Sequence, residues 1–202
     1  LGRLVEVAEP NPGGNGSLSS GAMDTTYTYD ALDRLLQVNQ GVQSRRFRYD
    51  SVGRLTHQKL AERAATLNDN GQWAGAGQWS DVFFYDTRSN LVRRVDARGA
   101  QTHYDFNDPL DRLLEVRYDK TGIPGNLSAN IPDAPKVNYG YVTSGDKMRA
   151  ENVSVSNGMG NEQLSYDIEG RLAQVRQTFA GREDYPLYTN YIWNTLDQLK
   201  EN

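Results

Sequence analysis

The seven residues Tyr166-Asp167-Ile168-Glu169-Gly170-Arg171-Leu172 form a motif that recurs along the 202-residue chain. Clear copies are Tyr29-Asp30-Ala31-Leu32-Asp33-Arg34-Leu35, Tyr49-Asp50-Ser51-Val52-Gly53-Arg54-Leu55 and Tyr85-Asp86-Thr87-Arg88-Ser89-Asn90-Leu91. Weaker copies are Asn107-Asp108-Pro109-Leu110-Asp111-Arg112-Leu113 and Trp193-Asn194-Thr195-Leu196-Asp197-Gln198-Leu199, and Gly2-Arg3-Leu4 is the second half of another. We call this unit the repeat motif, and its recurrence is typical of a repeat architecture.

Each copy of the repeat motif predicts a β-hairpin. Aromatic and polar residues alternate before it, as in Tyr27 and Tyr29, which indicates a strand. The Asp can then accept hydrogen bonds from backbone N–H groups two residues on, and a Gly such as Gly53 or Gly170 supplies the positive φ of a turn. Where Gly is absent the position holds Asp33, Asp111 or Asp197, and Asp tolerates the left-handed conformation.

Consecutive hairpins are expected to pair side by side, because an isolated two-stranded hairpin is marginal in water. The fold prediction is therefore all-β, with antiparallel hairpin repeats that form one continuous curved sheet. The long interval between Leu113 and Leu172 is predicted to contain an eroded unit. Its incoming strand would be Tyr139-Gly140-Tyr141, and Lys147-Met148 would lie near its leucine position.

The repeat motif resembles the signature of the RHS-repeat or YD-repeat family, Tyr-Asp-x-x-Gly-Arg-Leu. Five recognisable copies and two partial ones cover nearly all of the chain outside its loops. The family includes bacterial polymorphic toxins, shell components of insecticidal toxin complexes, wall-associated proteins and animal teneurins. The resemblance implies a sheet that spirals into a hollow shell, which in toxin members encloses a C-terminal cytotoxic domain. The self-cleaving core that follows the repeats in those members has no matching segment here, so autoproteolysis is assigned to no residue.

The resemblance also implies partners and a location. The partners would be the rest of a longer chain or a companion shell subunit, together with a toxin cargo. The protein would be secreted or at the cell surface, in a bacterium. We expect one repeat array over residues 1–202, a fragment of something longer, with loop insertions near 9–25, 60–80 and 119–136. Within the second insertion, residues 60–67 (LAERAATL) favour a short helix or an ordered segment.

Composition excludes several classes of function. A hydrophobic content of 37% and a mean hydropathy of -0.73 are lean for a compact core and fit a sheet that is wet on at least one face. The net charge of -4 comes without a basic stripe, which argues against nucleic acid. There are no cysteines, hence no disulfides or thiolate metal sites. No apolar run approaches the roughly 18 residues of a membrane span.

The sequence contains no residue pattern typical of a catalytic site. The repeated Asp and Arg are predicted to serve the scaffold, as Arg–Asp ladders along stacked hairpins. The densest polar cluster, Asp105, Asn107, Asp108 and Asp111, lacks the order of a calcium loop. His57 and His103 belong to different repeats. We therefore predict no catalytic residue, no metal and no cofactor. The predicted structural turn residues are Tyr29, Asp30, Arg34, Tyr49, Asp50, Gly53, Arg54, Tyr85, Asp86, Asp108, Arg112, Tyr166, Asp167, Gly170 and Arg171.

Trp73 and Trp79, in the Gly-rich part of the second insertion, allow two interpretations. Exposed aromatic faces on a loop commonly hold sugar rings or partner side chains, whereas buried ones would pin the loop to the sheet. Two functions follow for the chain. One is a structural segment of a shell that encapsulates a toxin. The alternative is an extracellular or wall-associated module that binds carbohydrate or a cell surface through Trp73 and Trp79.

Overall fold

The computed structural model describes residues 2–10, 23–141 and 152–201. These residues are almost entirely β-structure. The strands of the first half are β1 (Glu6–Glu9), β2 (Met23–Tyr29), β3 (Leu35–Gln40), β4 (Gln43–Tyr49), β5 (Leu55–Lys59), β6 (Asp81–Tyr85), β7 (Leu91–Asp96) and β8 (Gln101–Asp105). They are followed by β9 (Glu115–Asp119), β10 (Val137–Tyr141), β11 (Asn152–Asn157), β12 (Gly160–Tyr166), β13 (Leu172–Phe179), β14 (Leu187–Asn190), β15 (Ile192–Trp193) and β16 (Leu199–Glu201).

Strands β1 to β14 belong to one sheet in which strand order follows chain order, and β15 pairs with β16. Neighbouring strands such as β2 and β3, or β12 and β13, pair antiparallel. This confirms the prediction of an all-β, antiparallel hairpin repeat. The chain divides into two compact units, one of Leu1–Gln101 with Asp119–Ile131 and the other of Thr102–Tyr118 with Pro132–Asn202.

Each hairpin bends at the same place. The strand register shifts between Thr28 and Tyr29, so that Tyr29 pairs with Leu35 while Thr28 pairs with Gln37. Leu36 is the extra residue of a β-bulge. The same shift precedes Tyr49, Tyr85, Tyr166 and Trp193. The aromatic residue of the repeat motif therefore lies at a bulge in each of these hairpins.

The first unit has a compact apolar core between the sheet and the second insertion. Leu67 is fully buried, and Val82 of β6 and Val95 of β7 are each 1% exposed. Trp79 completes the cluster, and Phe84 packs against it. The insertion over residues 60–80 therefore acts as an ordered cover on the strands that follow it.

The helix expected in residues 60–67 is not formed. These residues make a turn and then an irregular segment, because the backbone N–H groups of Thr66 and Leu67 donate to the carbonyl oxygen of Trp79. The alternative expectation, an ordered segment, is what the structure contains. Among the described residues the helix is α1 (Gly125–Ser128), a single turn in the third insertion. It is too short to span a membrane, and no described helix could do so.

The strands of the second unit are mostly half-buried. Val116 of β9 is 8% exposed, whereas Phe179 and Leu187 near its last strands are 47% and 57% exposed. This arrangement fits the lean composition. Two predictions, most of the insertion near 9–25 and the placement of Lys147-Met148, lie outside the described residues.

Candidate functional site

The turn of the repeat motif is closed by its Asp side chain. In the copy at residues 29–35, Asp30 Oδ1 accepts the backbone N–H groups of Leu32 and Arg34, each at 2.9 Å. The Asp30 backbone N–H donates to the carbonyl of Arg34, and the Asp33 N–H donates to that of Asp30. One carboxylate thus satisfies backbone donors that the tight turn would otherwise leave unpaired.

This geometry recurs in the other copies. The equivalent acceptors are Asp50, Asp86, Asp108, Asp167 and Asn194. The fifth motif position has positive φ in every described copy: Asp33 (63°), Gly53 (91°), Ser89 (73°), Asp111 (61°), Gly170 (86°) and Asp197 (57°). Among the described residues, the non-glycine residues with positive φ all occupy this position. The repeat motif therefore specifies one turn conformation.

The Arg of the motif holds its own turn through the same Asp. Arg34 Nε donates to Asp30 Oδ2 at 2.6 Å, and the Arg54–Asp50 and Arg171–Asp167 pairs repeat this contact at 2.6 and 2.7 Å. The hydrogen bond from the backbone of Arg34 is the main reason that the pKa of Asp30 lies below its ordinary value. These carboxylates therefore stabilise the turns, because their oxygen atoms accept hydrogen bonds from the turn backbone and from the Arg side chain.

The most buried of these pairs is Arg112 with Asp108. Their side chains are 12% and 7% exposed, and Arg112 Nη2 donates to Asp108 Oδ1 at 2.7 Å. Hydrogen bonds from the Arg112 side chain lower the pKa of Asp108 to about 2, against the opposing effect of burial. The polar cluster at Asp105, Asn107, Asp108 and Asp111 is thus engaged in turn structure. No group of His, Asp and Glu in the described residues is arranged to hold a metal ion.

The same Arg also reaches the next copy of the motif. Arg34 Nη1 donates to the carbonyl oxygen of Asp50 at 2.9 Å, and Arg54 Nη1 to that of Asp86 at 3.0 Å. The contact recurs from Arg3 to Asp30 at 3.3 Å and from Arg171 to Asn194 at 3.1 Å. One guanidinium therefore joins two successive turns.

A second contact runs in the opposite direction, from the aromatic residue to the preceding copy. Tyr49 donates its hydroxyl hydrogen to the carbonyl oxygen of Leu35 at 3.0 Å. The equivalent bonds are Tyr29 to Leu4, Tyr85 to Leu55, Tyr141 to Leu113 and Trp193 Nε1 to Leu172, at 2.8 to 2.9 Å. Tyr141 therefore acts as the aromatic residue of the eroded unit, and Trp193 replaces a tyrosine.

The Arg–carbonyl and aromatic–carbonyl hydrogen bonds involve the same pair of side chains, since each guanidinium lies over the aromatic ring of the next copy. The Cζ atom of Arg34 is 5.2 Å from the Tyr49 ring centroid, and that of Arg54 is 4.8 Å from Tyr85. The other pairs are Arg3 with Tyr29, Arg112 with Tyr141 and Arg171 with Trp193. Burial raises the pKa of the Tyr49, Tyr85 and Tyr141 hydroxyls, which remain neutral donors. We call this reciprocal Arg–aromatic contact the interlock.

Within the described residues, the step from the copy at 85–91 to the copy at 107–113 lacks both partners of the interlock. The copy at residues 85–91 has Asn90 at the Arg position, and the next copy has Asn107 at the Tyr position. Asn90 still holds its own turn, since its side-chain amide donates to Asp86 Oδ2 at 3.1 Å. The two residues are replaced together, as expected if each is useful only with the other.

The two tryptophans proposed as a ligand surface differ in exposure. Trp79 is 5% exposed, donates through Nε1 to Asp69 Oδ1 at 2.7 Å and lies 4.7 Å from the Arg48 guanidinium. It therefore pins the insertion, which agrees with the interpretation of a buried tryptophan and removes Trp79 as a ligand contact. Trp73 is 39% exposed.

The same turn is used twice more, outside the repeat motif. Asn68 Oδ1 accepts the N–H groups of Asn70 and Gln72 within the insertion. Asp96 does the same with Arg98 and Ala100 at the end of β7. Each turn has a positive-φ Gly three residues on, Gly71 and Gly99. The spacing of Asn or Asp to Gly in the sequence indicates that the chain turns at both places.

Comparison with known proteins agrees with this geometry. The family model described as the teneurin YD-shell matches residues 15–109, which include three copies of the repeat motif. This match is consistent with the RHS-repeat or YD-repeat family that the repeat motif resembles. The sequence matches no curated protein.

Solved structures with the same fold come from Tc toxins. A mutant Photorhabdus luminescens Tc holotoxin pore matches at a TM-score of 0.60 and 15% identity, over 90% of this chain and 9% of that one. The TcdB2-TccC3 complex without its hypervariable C-terminal region matches at 0.50 and 12% identity, over 88% of this chain and 10% of that one. The chain thus spans about a tenth of the length of these solved chains and shares their fold.

Proposed function

We propose that this YD-repeat chain is part of the wall of a hollow shell that encloses a C-terminal toxin or effector domain. The observation that supports the proposal is the interlock. Where the motif keeps its Arg and the next copy its aromatic residue, as at Arg34 and Tyr49, the guanidinium ties one copy to the next and the aromatic donor ties that copy back. A wall that contains a cargo needs continuity of this kind and no catalytic residue.

The interlock adds to the sheet a set of bonds at the hairpin ends. Sheet hydrogen bonds hold neighbouring strands, but turns lie beyond the ladder and are where strands fray. The Arg–carbonyl and Tyr–carbonyl bonds close these ends, each contributing about 0.5–1.5 kcal/mol. In this proposal all 202 residues form one array within a longer secreted or cell-surface protein or with a companion subunit. The proposal also includes that the protein comes from a bacterium.

Protease protection in the full-length protein tests containment. Native protein is digested with a broad-specificity protease, and the time course of the effector domain is followed by mass spectrometry. We expect the effector to survive in the wild type and to be cleaved faster in the Arg54→Ala, Arg171→Ala double variant. Arg182→Ala is the control, because its side chain makes no described contact. Equal cleavage of the effector in intact and detergent-opened protein would exclude containment.

A second candidate function rests on Trp73. It is exposed on an insertion that also carries a polar groove of about 410 Å³, lined by Asn68, Asp69, Asn70, Ala76, Gly77 and Gln78. An exposed aromatic face together with amide and carboxylate groups on one insertion is chemistry that can hold carbohydrate. Glycan binding would fall in Trp73→Ala and be largely kept in Trp73→Phe, and unchanged binding in Trp73→Ala would remove this candidate.

A further inference from the structure

A fully buried carboxylate begins β6. Asp81 has no exposed surface. Its Oδ2 accepts from Gln58 Nε2 at 3.0 Å, and Arg63 Nη1 donates to both oxygens at 3.0 and 3.2 Å. Arg94 donates to Oδ1 through Nε at 3.0 Å and Nη2 at 2.6 Å. The carboxylate thus accepts hydrogen bonds from three side chains, two of which are guanidinium groups.

The charges around Asp81 do not cancel. A buried carboxylate needs a cation, because an unpaired buried charge is costly. One guanidinium is enough for that purpose, and Asp81 has two. The side chains of Arg63 and Arg94 are 45% and 35% exposed, so each presents its outer edge to solvent. The second positive charge is therefore available on the surface.

These guanidinium groups form the wall of a groove. It has a volume of about 540 Å³ and is lined by Arg63, Ala64, Arg94, Asp96, Ala97 and Arg98. Arg98 is paired with Asp96, with Nε and Nη2 at 3.0 and 2.5 Å from Oδ2. Three arginines and two aspartates leave one net positive charge, and the two small alanines leave the space open.

Donors that can contact an anion remain on all three arginines. Within the part of the chain that the structure describes, Nε and Nη2 of Arg63 and Nη1 of Arg94 and Arg98 donate to no protein atom. Asp81 fixes two of the guanidinium groups, so little side-chain entropy is lost when an anion binds. A planar guanidinium edge matches a carboxylate in geometry.

We propose that this groove binds a carboxylate group, presented by an acidic side chain of a protein segment or by a small organic acid. A single carboxylate neutralises the single net charge, whereas a phosphate dianion would exceed it. The site lies apart from the interlock and does not depend on the shell function. Sequence reasoning could not find it, because Arg63, Asp81 and Arg94 come from the insertion and two different strands.

Titration calorimetry with defined probes tests the site. The peptide Ac-Ala-Glu-Ala-NH2, its Gln counterpart, glucuronate and inorganic phosphate are each added to the full-length protein. We expect saturable binding of the Glu peptide, none of the Gln peptide, and weakening with added salt. Glucuronate equal to or tighter than the peptide would identify a small acid as the source, and a tighter peptide would identify a protein segment. Phosphate tighter than both carboxylates would overturn the assignment.

Two variants distinguish the site from general charge. Arg98→Gln, which does not touch Asp81, is expected to reduce affinity severalfold, and Arg63→Gln about tenfold. Arg182→Gln is the matched control and is expected to bind like the wild type. Circular dichroism and melting temperature would establish that each variant is folded. Unchanged affinity in a folded Arg98→Gln and a folded Arg63→Gln, or no saturation with either carboxylate in the wild type, would overturn the proposal.

Discussion

At the scale of single residues, the fifth position of the repeat motif is the most constrained. It holds Gly, Asp or Ser, and each adopts a positive φ. The sequence predicted this for Asp33, Asp111 and Asp197 because Asp tolerates that conformation. Ser89 follows the same rule without being predicted, since Ser has no strong preference for it.

Gly53 allows a clean test of this constraint. A Cβ atom built there would meet only Arg34 Nη1, at 3.9 Å, so a substitution there is limited by backbone strain and not by space. We expect Gly53→Val to cost about 1–3 kcal/mol of local stability and Gly53→Asp clearly less. Hydrogen exchange of the turn at residues 50–54 measures both. Equal loss in the two variants would show that conformation is not the cause.

The Asp108–Arg112 pair predicts an acid transition. Because Arg112 lowers the pKa of Asp108 to about 2, the folded state prefers the ionised carboxylate. Its contribution to stability is full above the unfolded pKa of about 3.9 and is lost as pH falls from there towards about 2. The opening free energy of the turn at residues 108–112, measured by hydrogen exchange, should be independent of pH above pH 5. It should fall as the pH is lowered from about 3.9 towards about 2. Asp108→Asn should abolish this transition, and loss of protection near neutral pH would contradict the assignment.

At the scale of elements, the sequence was informative where the signal is local. Alternation before each Asp predicted the hairpins, and their antiparallel pairing is confirmed. The bulge was missed, because the extra residue, such as Leu36, looks like any strand residue. The prediction of a helix at residues 60–67 was wrong, because the backbone N–H groups of Thr66 and Leu67 donate to the carbonyl oxygen of Trp79. That tertiary contact overrides local propensity.

The Tyr hydroxyl provides a prediction at this scale. Tyr49→Phe removes the hydrogen bond to the Leu35 carbonyl and keeps the ring beneath Arg34. We expect a loss of about 0.5–1.5 kcal/mol in the local stability of the β3–β4 hairpin, measured by hydrogen exchange. Tyr185→Phe is the control, since Tyr185 is 78% exposed. A hairpin as stable as the wild type would show that the hydroxyl bond contributes nothing.

At the scale of the whole molecule, the sequence predicted the repeat and the order of its strands but not how copies are joined. The pairing of Arg and Asp within a motif follows from spacing. The link from Arg54 to Asp86 spans 32 residues across an insertion, and only the folded chain shows that the two are adjacent. The same holds for Asp81 and its two arginines. Long-range polar contacts of this kind depend on the sheet being in place first.

The central claim is that successive repeats are energetically coupled through the interlock. A double-mutant cycle with Arg54→Ala and Tyr85→Leu, which removes the aromatic ring beneath the guanidinium, tests it in the full-length protein, read by hydrogen exchange over β6 and β7. The cycle cancels the separate loss of the Arg54–Asp50 bond. We predict a coupling energy of about 0.5–3 kcal/mol for this pair, and additivity within about 0.5 kcal/mol for Arg54→Ala with Tyr185→Leu. Additive effects for Arg54 and Tyr85 would contradict the account.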